Sequence, residues 1–200
     1  MLFKVKDLCG PNVPPVSFVL AAGEVLPVRG ESGVGKSQML RALADLSPHE
    51  GEISLEGVEQ QSMPATDWRR QVALVPAESG WWADTVAEHF PSPPSEAWWE
   101  RLRLRAALWE SPVERLSSGE RQRLAVLRAL ALKPRVLLLD EPTANLDQGN
   151  AEAMAGLLLD YLRDQGAAAV WISHDPHEVA AHGDQWLEMT SEGGVLHGTV

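Results

Sequence analysis

Eight consecutive residues, Gly30-Glu31-Ser32-Gly33-Val34-Gly35-Lys36-Ser37, have the types and spacing needed to hold a phosphate chain. Backbone N–H groups of a tight loop converge on one point and make an anion cradle. A helix starting near Lys36 adds the positive end of its dipole. Gly30, Gly33 and Gly35 let the backbone approach a phosphate with no Cβ in the way. Lys36 is expected to reach the β- and γ-phosphates of a nucleoside triphosphate, and the Ser37 hydroxyl to ligate Mg²⁺. Glu31, Ser32, Val34 and Gln38 complete the expected nucleotide-binding set. A second chemistry-bearing stretch, Val136-Leu137-Leu138-Leu139-Asp140-Glu141, ends an apolar run in two carboxylates. Asp140 is placed to hold the Mg²⁺ hydration shell beside Ser37. Glu141, one residue on, points elsewhere and can polarise a water for attack on the γ-phosphate.

These groups need a frame. Glu24–Arg29 reads as a buried strand before the loop, and Gln38–Ala44 as a helix after it, stopped at Ser47-Pro48. The continuous apolar run Val136–Leu139 reads as a central parallel strand, whose carboxyl end is where ligands of open α/β sheets bind. Strands are further expected at Leu2–Leu8, Val16–Leu20, Glu52–Leu55, Val72–Val75, Ala167–Ile172, Trp186–Met189 and Val195–His197, with a turn over Cys9–Pro15. Helices are expected over Ala83–Phe90, Ser95–Trp109, Ser118–Leu132, Asn150–Gln165 and Pro176–Ala181. Alternating strands and helices imply an α/β class with a mainly parallel sheet. Residues 77–134 read as a helical insert within a single domain over 1–200.

The 200 residues hold 44% hydrophobic and 22% charged side chains, the balance of a globular protein. A net charge of −11 disfavours nucleic acid, whose binding draws on Lys and Arg displacing counterions. One cysteine, Cys9, allows no intrachain disulfide and points to a reducing, cytoplasmic setting. No apolar run has the length of a membrane span, and no secretion signal is visible. Most of the eight tryptophans are expected in packing.

Leu116-Ser117-Ser118-Gly119-Glu120-Arg121-Gln122-Arg123 resembles the signature of ATP-binding cassette (ABC) ATPases. Asp140-Glu141-Pro142-Thr143 resembles the family's Walker B segment with its catalytic glutamate, Ala144-Asn145-Leu146-Asp147 its D-loop, and Ile172-Ser173-His174-Asp175 its switch-histidine segment. The resemblance runs from about Leu2 to Met189. It implies a P-loop NTPase of ABC type, with a mainly parallel core sheet, an antiparallel β subdomain and a helical subdomain. It implies ATP and Mg²⁺ as cofactors and a homodimer packed head to tail on ATP binding. Ser117, Ser118, Gly119 and Glu120 of each chain would then cap the ATP on the partner's loop. His174 would contact the γ-phosphate, and Asp147 would couple the two sites. A transmembrane permease on a separate chain would hold the subunit at the inner face of the cell membrane.

Four departures stand out. Ser118 replaces the family's usual Gly, and Glu120 its usual Gln; serine can still cap a helix, so tolerance is expected. Cys9–Pro15 lacks the aromatic residue that stacks on adenine, so GTP could substitute for ATP. Ala77 stands at the Q-loop glutamine, with Glu78 next as a candidate Mg²⁺ ligand against a plain loop charge. Trp81-Trp82 follows, where transporter cassettes receive a coupling helix; packing within the insert is the alternative. The segments Thr85–Glu88 and Ala169–Asp175 resemble small cassettes linked to metal export. Competing readings are a soluble ABC ATPase acting on nucleic acid or ribosomes, and a metabolic P-loop kinase, which would not need the signature helix.

Overall fold

The computed structural model describes residues 1–173 and 185–198. Two sheets form its frame. One is antiparallel, with strands β1 (Phe3–Gly10), β2 (Val13–Leu20), β4 (Glu50–Leu55) and β5 (Val58–Glu59) in the order β2-β1-β4-β5. The other contains β3 (Val25–Gly30), β6 (Val72–Val75), β7 (Val136–Asp140), β8 (Ala168–Ile172), β9 (Gln185–Met189) and β10 (Gly194–Gly198), in the order β10-β9-β3-β8-β7-β6. All its neighbours pair in parallel except the edge strand β10, which is antiparallel to β9. The helices are α1 (Lys36–Leu43), α2 (Ala65–Gln71), α3 (Glu96–Arg101), α4 (Ser118–Ala131) and α5 (Gln148–Gln165).

Side-chain alternation along β7 shows why this strand is apolar throughout. Val136 and Leu138 join a core with α1, Trp68 and the antiparallel sheet. Leu137 and Leu139 join a second core with Leu124 and Leu127 of α4 and Leu157 and Leu158 of α5. A strand covered on both faces has no polar side to show. Two buried hydrogen bonds hold helices in place: the Trp68 indole of α2 donates to the Leu43 carbonyl of α1 (2.9 Å), and the Tyr161 hydroxyl of α5 to the Pro134 carbonyl ahead of β7 (2.8 Å).

The expected elements differ from the structure in three places. The turn over Cys9–Pro15 is only Pro11-Asn12, because β2 continues through Pro14 and Pro15. Both prolines are tolerated because β2 is the edge of its sheet. Ala83–Phe90 is not an α-helix but one 3₁₀ turn, Ala87–His89. The His89 ring there accepts the N–H groups of Trp82 and Ala83 (2.9 and 3.1 Å), while the Glu88 carboxylate accepts that of Thr85 (2.8 Å). Ser95–Trp109 is helical only over Glu96–Arg101, since Arg103 turns left-handed (φ 53°) and a 3₁₀ turn at Ala106–Leu108 follows. The helix expected over Pro176–Ala181 lies outside the described residues.

Candidate nucleotide site

β3 leaves the sheet at Gly30 and the chain re-enters regular structure at Lys36. Gly35 is the N-cap of α1 in the left-handed region (φ 107°), with no side-chain cap and no acidic residue in the first turn. Those N–H groups are open to an external anion. A Cβ on Gly33 (φ 81°) would meet nothing within 4 Å, so the loop faces open space. Gly35 is glycine for a second reason: a Cβ there would stand 2.1 Å from the Asn12 carbonyl oxygen. The β1–β2 turn thus presses directly against the loop. Lys36 is buried, and its ammonium donates to the carbonyls of Gly30 (2.8 Å) and Glu31 (2.9 Å), bridging the loop across its mouth. Glu31, Ser32, Ser37 and Gln38 are exposed and Val34 is half-buried.

β3, β8 and β7 run parallel, so the loop and Asp140 lie at the same sheet edge, one strand apart. Asp140 is buried at the end of β7. Glu141 then turns left-handed (φ 49°), its N–H donating to the Ile172 carbonyl (3.0 Å). That turn takes its carboxylate out of the strand's alternation, as a group separate from Asp140. A serine hydroxyl and a carboxylate suit Mg²⁺. Among the described residues no three or more His, Cys, Asp or Glu side chains cluster as a metal site. Ser37 and Asp140 would supply two oxygens to such an ion. Val75 pairs with Leu139, so the chain after β6 leaves the sheet beside Asp140; Glu78 is exposed there, in a bend. His174 and Asp175 lie outside the described residues.

The start of α4 is organised differently. Ser117 is its N-cap in a complete capping box. The Ser117 hydroxyl accepts from the Glu120 N–H (3.2 Å), and the Glu120 carboxylate accepts both the N–H (2.9 Å) and the hydroxyl (2.8 Å) of Ser117. Those hydrogen bonds, the backbone one foremost, together with Arg105 at 3.3 Å, hold the Glu120 carboxyl below the usual carboxylate range. A negative charge therefore already occupies the donors expected to cap a partner's phosphate. Ser117 and Ser118 are exposed, and Gly119 packs on the D-loop, its Cβ position 3.2 Å from Leu146 Cδ2 and 3.5 Å from the Asn145 carbonyl oxygen. Asp147 caps α5 by accepting the Asn150 N–H (3.0 Å), the main cause of its lowered pKa.

Trp81 and Trp82 stack on one cation, the Arg128 guanidinium lying 4.8 Å from each ring. Trp81 is half-buried, whereas Trp82 is 71% exposed. Trp98 packs edge-on to Tyr161 and Trp99 to Trp109.

Residues 13–144 match the ABC transporter family. The chain belongs to that family. It is 32% identical over 193 residues to a probable iron export ATP-binding protein of Escherichia coli, covering 90% of this chain and 85% of the relative. It is 35% identical over 187 residues to a cobalt import ATP-binding protein of Rhodobacter capsulatus, covering 85% of this chain and 66% of the relative. Its fold matches a dimeric ATP-binding cassette solved in a post-hydrolysis state with ADP and phosphate, at a TM-score of 0.81 and 21% identity, over 98% of both chains. As an ABC family member the chain is an ATP-binding, ATP-hydrolysing transporter subunit, with the α/β P-loop fold expected of it.

Proposed function

We propose that two copies close head to tail over two ATP molecules, each phosphate loop facing the partner's signature, and that this motion drives a separate permease. The observation that carries the proposal is the contrast between two helix starts. α1 opens on an uncapped turn with Lys36 across its loop, while α4 presents exposed Ser117 and Ser118 beside its own D-loop, with nothing of residues 30–37 within 4 Å of the Gly119 Cβ position. An exposed serine-rich helix start whose Gly119 makes no contact with its own loop fits a site completed by a second chain.

The roles follow. The loop residues 30–38 hold the triphosphate, and Lys36 exchanges its two carbonyl acceptors for phosphate oxygens. Ser37 and Asp140 would hold Mg²⁺, which when bound would supply positive charge to offset that of the triphosphate. Glu141 accepts a proton from the attacking water as the γ-phosphorus–oxygen bond to ADP breaks. His174 steadies the γ-phosphate, Asp147 links the two sites, and Glu78 is a candidate for the metal's outer ligands. The helical subdomain over about 77–134 carries the signature into the partner's site. The exposed face of Trp82 is the contact for the permease, which holds the chain on the cytoplasmic side of the membrane. Among the described residues no helix is long and apolar enough to cross a membrane. Similar identity to a probable iron export ATP-binding protein and to a cobalt import ATP-binding protein supports direction and cargo being set by the membrane subunits. Both relatives named above are ATP-binding proteins of transport systems, and the −11 charge disfavours a nucleic-acid partner.

A dilution series tests the pairing. ATPase rate per chain should rise with protein concentration until the dimer saturates; a rate per chain independent of concentration, with only monomer present, would refute it.

A further inference from the structure

Arg123 has no part in the roles above, yet it is one of the few buried charged side chains among the described residues. It lies one helical turn after Gly119. Its Nε donates to the Gly119 carbonyl (3.1 Å), and its Nη1 to the Leu102 carbonyl (2.7 Å) and to Asn150 Oδ1 (3.0 Å). Asn150 passes the contact on: its N–H and its side-chain amide both donate to the Asp147 carboxylate. One guanidinium therefore joins the signature helix, the end of α3 and the start of α5, segments 21 and 27 residues away in sequence.

The charges facing it are unevenly set. Glu120 and Asp147 favour the cation, while Arg103 opposes it. The Arg103 guanidinium itself lies over Gly149, 2.8 Å from that residue's Cβ position. None of the hydrogen bonds from Arg123 goes to a carboxylate. Burying a cation against neutral oxygens costs more than an apolar side chain of similar volume would. What it gains is geometry, since a planar fork fixes several acceptors relative to one another. Those acceptors belong to the Gly119 end of the signature and to the residue that orients Asp147. Gly119 also packs on Asn145 and Leu146 from the other side of the same corner.

We infer that Arg123 is a positioning residue that makes the signature and the D-loop of one chain a single unit, so that both enter the partner's nucleotide site together. The inference rests on the head-to-tail reading above and adds the device that sets the trans-acting half of each site. An arginine that only supported the fold would affect stability and nucleotide binding alike. One that sets this unit affects pairing alone, because the phosphate loop of the same chain makes none of these contacts.

The test uses Glu141→Gln chains, so that turnover does not empty the sites. Arg123→Met keeps the length of the side chain and removes its donors. Asn150→Asp keeps the oxygen facing Arg123 and sets a second carboxylate against Asp147. Three quantities are read for each: fluorescent ATP-analogue affinity at monomer concentrations, the ATP-driven monomer–dimer constant by sedimentation, and the thermal midpoint. Both variants should bind nucleotide within about twofold of the parent and dimerise at least tenfold more weakly. Unchanged dimerisation in either folded variant overturns the inference, as does a parallel loss of monomer nucleotide affinity. If Arg123→Met does not fold, Arg123→Lys, which keeps the charge but loses the planar fork, decides in its place by the same three quantities. A parent that binds ATP and stays monomeric overturns the head-to-tail reading instead, and this inference with it.

Discussion

Glu120→Gln isolates one charge at the start of α4. In the free chain the Glu120 carboxylate takes both donors of Ser117, and closure would bring a phosphate oxygen to those same donors. Two acceptors sharing a donor stand about 5 Å apart. Unit charges at that separation repel by about 0.8 kcal/mol in water-like surroundings and about 3 kcal/mol at an effective dielectric constant of 20. Glutamine removes the charge and keeps a carbonyl oxygen for the Ser117 N–H, so the cap survives with a loss of about 0.3–1 kcal/mol in helix-dipole energy. A dimer contains two such sites. The smaller figure, counted twice, is about 1.6 kcal/mol, or about fifteenfold in the dimer dissociation constant. Sedimentation of Glu141→Gln chains saturated with ATP, with and without Glu120→Gln, measures this directly. The charge-neutral variant should dimerise more tightly, with the gap narrowing toward 1 M salt. Equal or weaker dimerisation at low salt would refute the assignment of Glu120 as a competitor for the phosphate.

Three further outcomes follow from the same structure. Gly35→Ala should cost more than about 3 kcal/mol, since its Cβ would strike the Asn12 carbonyl at 2.1 Å and its φ is 107°; an unfolding midpoint near the parent's would show that the β1–β2 turn can move away. Glu78→Ala should change the Mg²⁺ concentration for half-maximal ATPase if the carboxylate reaches the metal's ligand shell, and an unchanged titration would leave it a loop charge. Glu120 and Asp147 both have depressed pKa values. Their stabilising contribution is complete above the ordinary carboxylate pKa near 4 and is lost as pH falls through their lower folded values. Urea midpoints of the parent should therefore fall more steeply with acid than those of Glu120→Gln, and coincident slopes would contradict that.

Some elements were legible in the chain because one local rule decides them. Val136–Leu139 is apolar without interruption, and only a doubly covered strand is built that way. The spacing from Gly30 to Ser37 fixes a strand–loop–helix unit, and the α4 and α5 helices match their expected spans to within two residues. Where the reading failed, side chains had replaced backbone partners. Ala83–Phe90 has helical composition, but His89 and Glu88 take the N–H groups of Trp82, Ala83 and Thr85. Periodicity does not register such bonds. Nor does a single sequence show that Pro14 and Pro15 fall on an edge strand. Arg123 reads as one more charge on a helix; only the approach of Leu102 and Asn150 from elsewhere in the chain reveals it as buried. The fit of Asn12 against Gly35 is likewise a property of the assembled sheets.

The central claim is that each nucleotide site is completed by a second chain. Glu141→Gln protein with ATP and magnesium, analysed by light scattering coupled to nucleotide counting, tests it most directly. The account predicts a doubled mass carrying two ATP per dimer, reverting to monomer when ATP is replaced by ADP. ATP-saturated protein of monomer mass would contradict it.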